Sequence, residues 1–155
     1  MNKIKKLRKF FKSLAIDGYL IPKNDEYFNE YVSQPNDRLK FISNFSGSAG
    51  FALILKKKNY LFVDGRYTIQ AQQQSGKLYK IIEIHKFFPH QILKNLTLGF
   101  DPSLFTSKSL NIYFKNSFNL KPINKNLIDQ IYPLKKQKLK KFFSIKNAVV
   151  GETYK

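Results

Sequence analysis

Cysteine is absent from the 155 residues. That excludes disulfides and every metal site built on thiolates, and it leaves the redox compartment unmarked. Histidine is confined to His85 and His90, and acidic residues are scarce, ten against 28 lysines and arginines, for a formal net charge of +18. No apolar run approaches the ~20 residues of a membrane span. The start, Met1-Asn2-Lys3-Ile4-Lys5-Lys6, is charged but lacks the unbroken apolar segment of a signal peptide. The expectation is a cytoplasmic protein with no membrane partner.

What is present is enough for one core. At 43% apolar residues the chain suits a single domain followed by a tail. The charge invites a nucleic-acid reading, because lysine-rich surfaces attract phosphate without regard to sequence. Its distribution argues otherwise: lysines are spread through nearly every segment, as in a solvated, compositionally biased surface, and no specific nucleic-acid partner is expected. Arginine occurs only at Arg8, Arg38 and Arg66. Two of these lie in the densest stretch of the chain, where a planar fork of donors does what an ammonium cannot.

That stretch is Asn36 to Tyr67. Ser46-Gly47-Ser48-Ala49-Gly50 is a run of small residues that lets the backbone turn sharply or another group approach closely. Phe51 to Leu55 and Tyr60 to Val63 read as a hairpin, with Lys56-Lys57-Lys58-Asn59 as its solvated loop. Asp64-Gly65-Arg66-Tyr67 then supplies a capping carboxylate, a turn glycine and the entry to a helix over 67–74.

The flanking segments alternate helix and strand. Ile4, Leu7, Phe11, Leu14 and Ala15 share one face of a helix over 3–15, ended by Asp17-Gly18 before a strand at 19–21. A polar and aromatic loop follows over 23–35, then a short helix from Asn36 to about Ser43. Further on, 78–84 alternates as a strand, 89–96 reads as a helix, 98–102 as a strand stopped by Pro102, 107–116 as a helix and 120–123 as a strand. The order α-β-α-β-β-α-β-α-β-α-β-α predicts an α/β fold, a mixed sheet flanked by helices.

These motifs carry a resemblance. Tyr31, Asp37-Arg38, Phe41, Ser43, Phe45, the 46–50 loop, Asp64-Gly65-Arg66-Tyr67 and Gln70-Ala71 stand in the order and spacing of the N-terminal domain of Xaa-Pro aminopeptidases, in the creatinase and prolidase family. A fainter likeness runs to Asn126-Leu127-Ile128-Asp129-Gln130-Ile131. Asn44, in place of the family's usual glycine, and Phe62-Val63 before the DGRY turn depart from the pattern without upsetting the fold. The resemblance implies a ribonuclease-H-like topology. It also implies a non-catalytic domain over residues 1–132 that contacts subunits, as in a homodimer, and borders a substrate cleft. Residues 133–155, a lysine-rich linker with Phe142 and Phe143, would lead into a truncated following domain. The enzymes so resembled are metallo-exopeptidases that remove an N-terminal residue preceding proline. They hold two divalent metals, usually manganese, in a C-terminal catalytic domain that this sequence does not reach, so no cofactor is expected in the chain itself. Its partners would be the missing middle and catalytic domains.

The chemical candidates within the chain are few. His85 and His90 with Glu83 read better as ordinary residues near a strand end than as metal ligands. Ser46 and Ser48 lack a histidine tied to their turn, and the small-residue loop lacks the lysine and following helix of a phosphate loop. Asp37, Asp64 and Asp101 could gather at strand ends as an acidic metal site, but each also suits a cap or turn. Arg38, Asp64, Arg66 and Tyr67 are the expected interface or substrate-bordering residues, with Ser46, Gly47, Ser48, Gly50 and Gly65 as the structural loop. For the arginines, an internal pairing of Arg66 with Asp37 or of Arg38 with Asp64 stands open beside the external role. The functional alternative to an aminopeptidase N-terminal domain is a stand-alone binding module whose basic surface takes an acidic partner or nucleic acid.

Overall fold

The computed structural model describes residues 3–132, together with Ile145 and Val149. The linker and following-domain start expected over 133–155 lie outside that range, apart from those two residues. Helix α1 (Lys3–Ser13) buries Ile4, Leu7 and Phe11, the i, i+3, i+7 stripe expected of an amphipathic helix. It stops earlier than the periodicity suggested, because Ala15 takes a φ of 48°, which no helix continues. Strand β1 (Gly18–Pro22) follows, buried along its whole length.

A loop carrying a 3-10 turn at Gln34–Asn36 leads to α2 (Arg38–Ser43), which is capped by Asp37, whose carboxylate accepts from the Lys40 N–H at 3.0 Å. Strands β2 (Gly50–Leu55) and β3 (Asn59–Val63) form the expected hairpin, closed by a bond from the Leu55 N–H to the Lys58 carbonyl at 2.8 Å. After a 3-10 turn at Gly65–Tyr67 come α3 (Thr68–Ser75) and β4 (Lys80–Glu83). The helix expected over 89–96 is only one turn, α4 (Pro89–Ile92). Asn95 adopts a φ of 57° and β5 (Leu96–Phe100) begins directly after it. Helix α5 (Ser107–Phe114) and strand β6 (Phe118–Pro122) complete the regular elements. Between β6 and Tyr132 no α-helix follows; residues 127–131 form hydrogen-bonded turns instead.

The described strands build one mixed sheet in the order β4-β3-β2-β1-β5-β6. β2 runs antiparallel to both neighbours, and the β1–β5, β3–β4 and β5–β6 pairs are parallel. Alternation along each strand divides the core in two, as a two-sided sheet requires. Tyr19, Ile21, Ala52, Ile54, Leu61 and Val63 face α1, α2 and α3. Leu20, Phe51, Leu53, Tyr60 and Phe62 face α5.

Gly50 sits where the small-residue loop enters β2 with a φ of 150°, and a Cβ there would lie 2.6 Å from the Phe62 carbonyl oxygen. Both conditions demand glycine. Gly50→Ala is therefore expected to cost about 2 kcal/mol or more, read as a lowered urea midpoint with an unchanged denaturant slope.

Candidate functional site

Because every described strand except β2 points the same way, the carboxyl ends of β1, β3, β4, β5 and β6 share one edge of the sheet. β2 to β4 lie to one side of β1, and β5 and β6 to the other. Ligand crevices of open α/β sheets form at such a reversal, outside the carboxyl ends. A cleft of about 450 Å³ lies here. Lys23 and Asn24 reach it from β1, Ser48 to Gly50 from the start of β2, Asp64 from β3, His85 from β4, and Leu104 to Thr106 from beyond β5. Phe28 and Tyr113 wall it.

Asp64 caps the 65–67 turn: its Oδ1 accepts from the Arg66 N–H at 3.0 Å and from Arg66 Nε at 2.9 Å, and His85 Nε2 stands 3.6 Å from Oδ2. The Arg66 side chain and amide hold the Asp64 carboxyl down at about pH 2. Arg66 itself is 75% exposed, feels the Glu30 carboxylate, and lies over the Tyr67 ring at 5.6 Å. The segment that brings Glu30 there also presents Tyr27 and Tyr31, 77% and 86% exposed. Hydrophobic period gives no signal for these aromatics; Tyr31 is marked only by its place in the resemblance, and Tyr27 only by the density of aromatics within 27–31.

Arg38 does not join this exposed group. Its side chain is 10% exposed and makes a two-pronged bond to Asp129, Nε to Oδ1 at 2.7 Å and Nη2 to Oδ2 at 2.8 Å. Its remaining nitrogen, Nη1, is buried without a hydrogen bond among the described residues, with Glu26 Oε2 at 3.9 Å. The internal pairs expected of the arginines are thus corrected in their partners: Arg38 takes Asp129 rather than Asp64, and Arg66 takes Asp64 rather than Asp37. Asp37 instead binds Lys23 Nζ at 2.7 Å in a buried pair. Asp101 accepts from Ser103 Oγ at 2.6 Å and Asn126 Nδ2 at 2.8 Å. Beneath them the Tyr19 hydroxyl accepts from the Leu127 N–H at 3.3 Å, and burial pushes its pKa up.

The small-residue loop is fastened to α3. Ser46 accepts from the Gln70 and Gln74 side chains at 2.9 Å each, Ser48 shares a 2.9 Å bond with the Tyr67 hydroxyl, and a Cβ on Gly47 would strike the Phe45 ring. The Ser48 hydroxyl is thus bonded to a phenol rather than an imidazole. His90 lies elsewhere, its Nδ1 3.0 Å from the Tyr113 carbonyl oxygen. Among the described residues no three His, Cys, Asp or Glu side chains come together as a metal site. The carboxylate and imidazole set that two divalent ions require is not assembled there.

The sequence profile of the Creatinase/Prolidase N-terminal domain matches residues 3–131. The chain belongs to this family. Among sequence relatives of this creatinase/prolidase N-terminal domain is a probable Xaa-Pro aminopeptidase P of Coprinopsis cinerea, 33% identical over 138 residues. That match covers 81% of this chain and 22% of the relative. Aminopeptidase P1 of Lotus japonicus is 34% identical over 143 residues, covering 84% and 22%. This chain therefore spans only about a fifth of their length. Among solved structures, X-prolyl aminopeptidase from Caenorhabditis elegans superposes with a TM-score of 0.73 at 27% identity, covering 86% of this chain and 26% of that one. The N-terminal domain of the cytoplasmic peptidase PepQ from Mycobacterium tuberculosis H37Rv shares the fold, with a TM-score of 0.60 at 21% identity, covering 83% and 97%.

Two outcomes test the site's energetics. Asp129→Ala strands the Arg38 guanidinium in a buried position and is expected to cost about 2–3 kcal/mol, somewhat below the range for fully buried pairs because Asp129 is partly exposed; urea denaturation reads it. For Asp64, a folded pKa below the unfolded one means that its stabilising contribution is complete above the ordinary carboxylate range and is lost as pH falls towards about 2. Carboxyl NMR titration should find Asp64 near that value, and the Arg66→Ala variant should return it towards the ordinary range.

Proposed function

We propose that this chain is the non-catalytic N-terminal domain of an Xaa-Pro aminopeptidase of the P type, a cytoplasmic metallo-exopeptidase that removes an N-terminal residue preceding proline. In this reading residues 1–132 are the domain and 133–155 lead towards further domains. Those domains would hold two divalent metals, manganese by family resemblance. The Caenorhabditis elegans neighbour, described as a cytosolic enzyme with a di-nuclear active site, supports the assignment of compartment and metal number.

The observation that carries a role for this domain is the concentration of exposed recognition chemistry at one sheet edge. Phe28 lines the cleft, Tyr27 and Tyr31 of the same segment are exposed, and Arg66, paired to the cleft residue Asp64, is accessible as well, whereas Lys23, Ser48 and Asp64 there are engaged in internal bonds. Aromatics and arginine are the side chains that dominate contact surfaces. The domain uses this edge to border the substrate cleft of its catalytic partner or to contact a neighbouring subunit, and Arg66 is its charged anchor. Asp64 and Tyr67 serve by orienting Arg66, and Arg38 serves the domain's own integrity.

The test is reconstitution with a separately supplied catalytic region of a relative. The chain alone should release no residue from an Xaa-Pro peptide in the presence of manganese. Association with the catalytic region should weaken about fivefold in Arg66→Lys, which keeps the charge and removes the fork, while the isolated domain's stability stays within about 0.5 kcal/mol. Manganese-dependent turnover by the chain alone, abolished by mutating its own residues, would refute the non-catalytic assignment. A large stability loss in Arg66→Lys with unchanged association would refute the edge as the contact.

A further inference from the structure

β4 is the outermost strand on its side of the sheet, and its pairing with β3 determines which of its backbone groups are free. The Ile84 N–H donates to the Val63 carbonyl at 3.0 Å. Backbone direction alternates along a strand, so in the parallel register of Phe62 with Ile82 Lys80 and Ile82 also face β3, while Ile81 and Glu83 face outward. The Glu83 carbonyl is taken by the amides of Lys86 and Phe87 at 3.1 Å each. The Ile81 N–H and C=O and the Glu83 N–H have no backbone partner among the described residues.

Along this edge runs a groove of about 520 Å³, with Thr68 and Gln72 of α3 on one side and Phe87 and Ile92 on the other. Phe87 is 54% exposed and Ile92 is 38% exposed, so apolar surface borders unpaired backbone, the combination that accepts an added strand. Charge selects the occupant. Lys77, Lys80 and Lys86 are exposed around the groove, and Glu83, the one acid lining it among the described residues, is bound to Lys86 at 2.8 Å. A second copy would bring the same lysines together, which opposes self-pairing. An acidic strand would meet an uncompensated Lys80.

We propose that the β4 edge is a docking site for an extended peptide segment bearing acidic and apolar side chains two residues apart. Its backbone bonds Ile81 and the Glu83 N–H as a further strand of the sheet. On the face shared by Lys80 and Ile82, a carboxylate stands by Lys80 and the apolar side chain covers Ile82 against Phe87 and Ile92. Residues two apart on a strand lie on one face, which fixes the recognised spacing. This surface is distinct from the cleft edge and does not depend on the aminopeptidase reading.

The experiment titrates the 155-residue chain with a fluorescein-labelled, end-blocked peptide, Thr-Asp-Thr-Val-Thr-Asp-Thr, which carries the spacing in both strand directions. Anisotropy reads binding, and amide hydrogen exchange reads its place. The expected result is saturable binding with slowed exchange at Ile81 and Glu83. Affinity should fall about tenfold with Lys80→Glu, or when the peptide is N-methylated at alternate residues, and stay unchanged with Lys9→Glu on α1. No saturation by about 1 mM peptide would overturn the proposal. So would indifference to both Lys80→Glu and N-methylation, equal binding of a peptide with lysine for aspartate, or self-association that protects Ile81 without peptide.

Discussion

The short loop Lys56-Lys57-Lys58 is the constraint on which the rest of the arrangement depends. Three residues between strands permit only a hairpin, so β2 must run against β3; it runs against β1 as well. It is the one reversed strand among those described, and its reversal lets all the others end at the same edge. Arg8 reinforces this turn from α1: its Nε donates to the Leu55 carbonyl and its Nη2 to Asn59 Oδ1, both at 2.8 Å. A change in that loop would therefore disturb the cleft at the far end of the strands, through direction rather than contact.

At that edge a basic protein spends its few acids. Asp37 and Asp64 each serve a helix or turn cap and a cation together. Asp101 caps the turn after β5 and binds Asn126, and Asp129 holds Arg38 across 91 residues of sequence. Buried carboxylates in double duty cost less than they would alone, because each desolvated oxygen finds a donor. The exceptions then stand out: Arg66 remains accessible although paired, and the 27–31 segment leaves aromatics uncovered. The edge is divided between a buried polar layer, hydrogen-bonded except at Arg38 Nη1, and an accessible rim, and the rim is what another surface can meet.

Much of this was legible in the residues. Short apolar segments bounded by turn residues, and alternation over 78–84, located the sheet strands, and the DGRY turn announced Asp64 as a cap before any geometry was known. What escaped was set by long-range contacts. Arg38 and Asp129 give no local signal of their pairing, and the faint likeness around Asn126 to Ile131 was the sole hint that this segment returns to the edge. The helices over 3–13 and 107–114 end short of the expected bounds where Ala15 and Lys115 adopt positive φ, and the one over 89–92 where Leu93 turns extended, choices that tertiary packing makes and side-chain identity only weakly encodes.

The surplus of lysine acquires a structural meaning once the pairs are assigned. With so many carboxylates committed internally, the exposed lysines repel one another, and that repulsion is relieved whenever an anionic surface approaches. Such a field speeds encounters and sets no register. Register must come from directional groups: the Arg66 fork at the cleft edge and the outward-facing backbone of β4. Diffuse positive charge thus favours acidic partners in general, while a few fixed donors decide which partner stays bound.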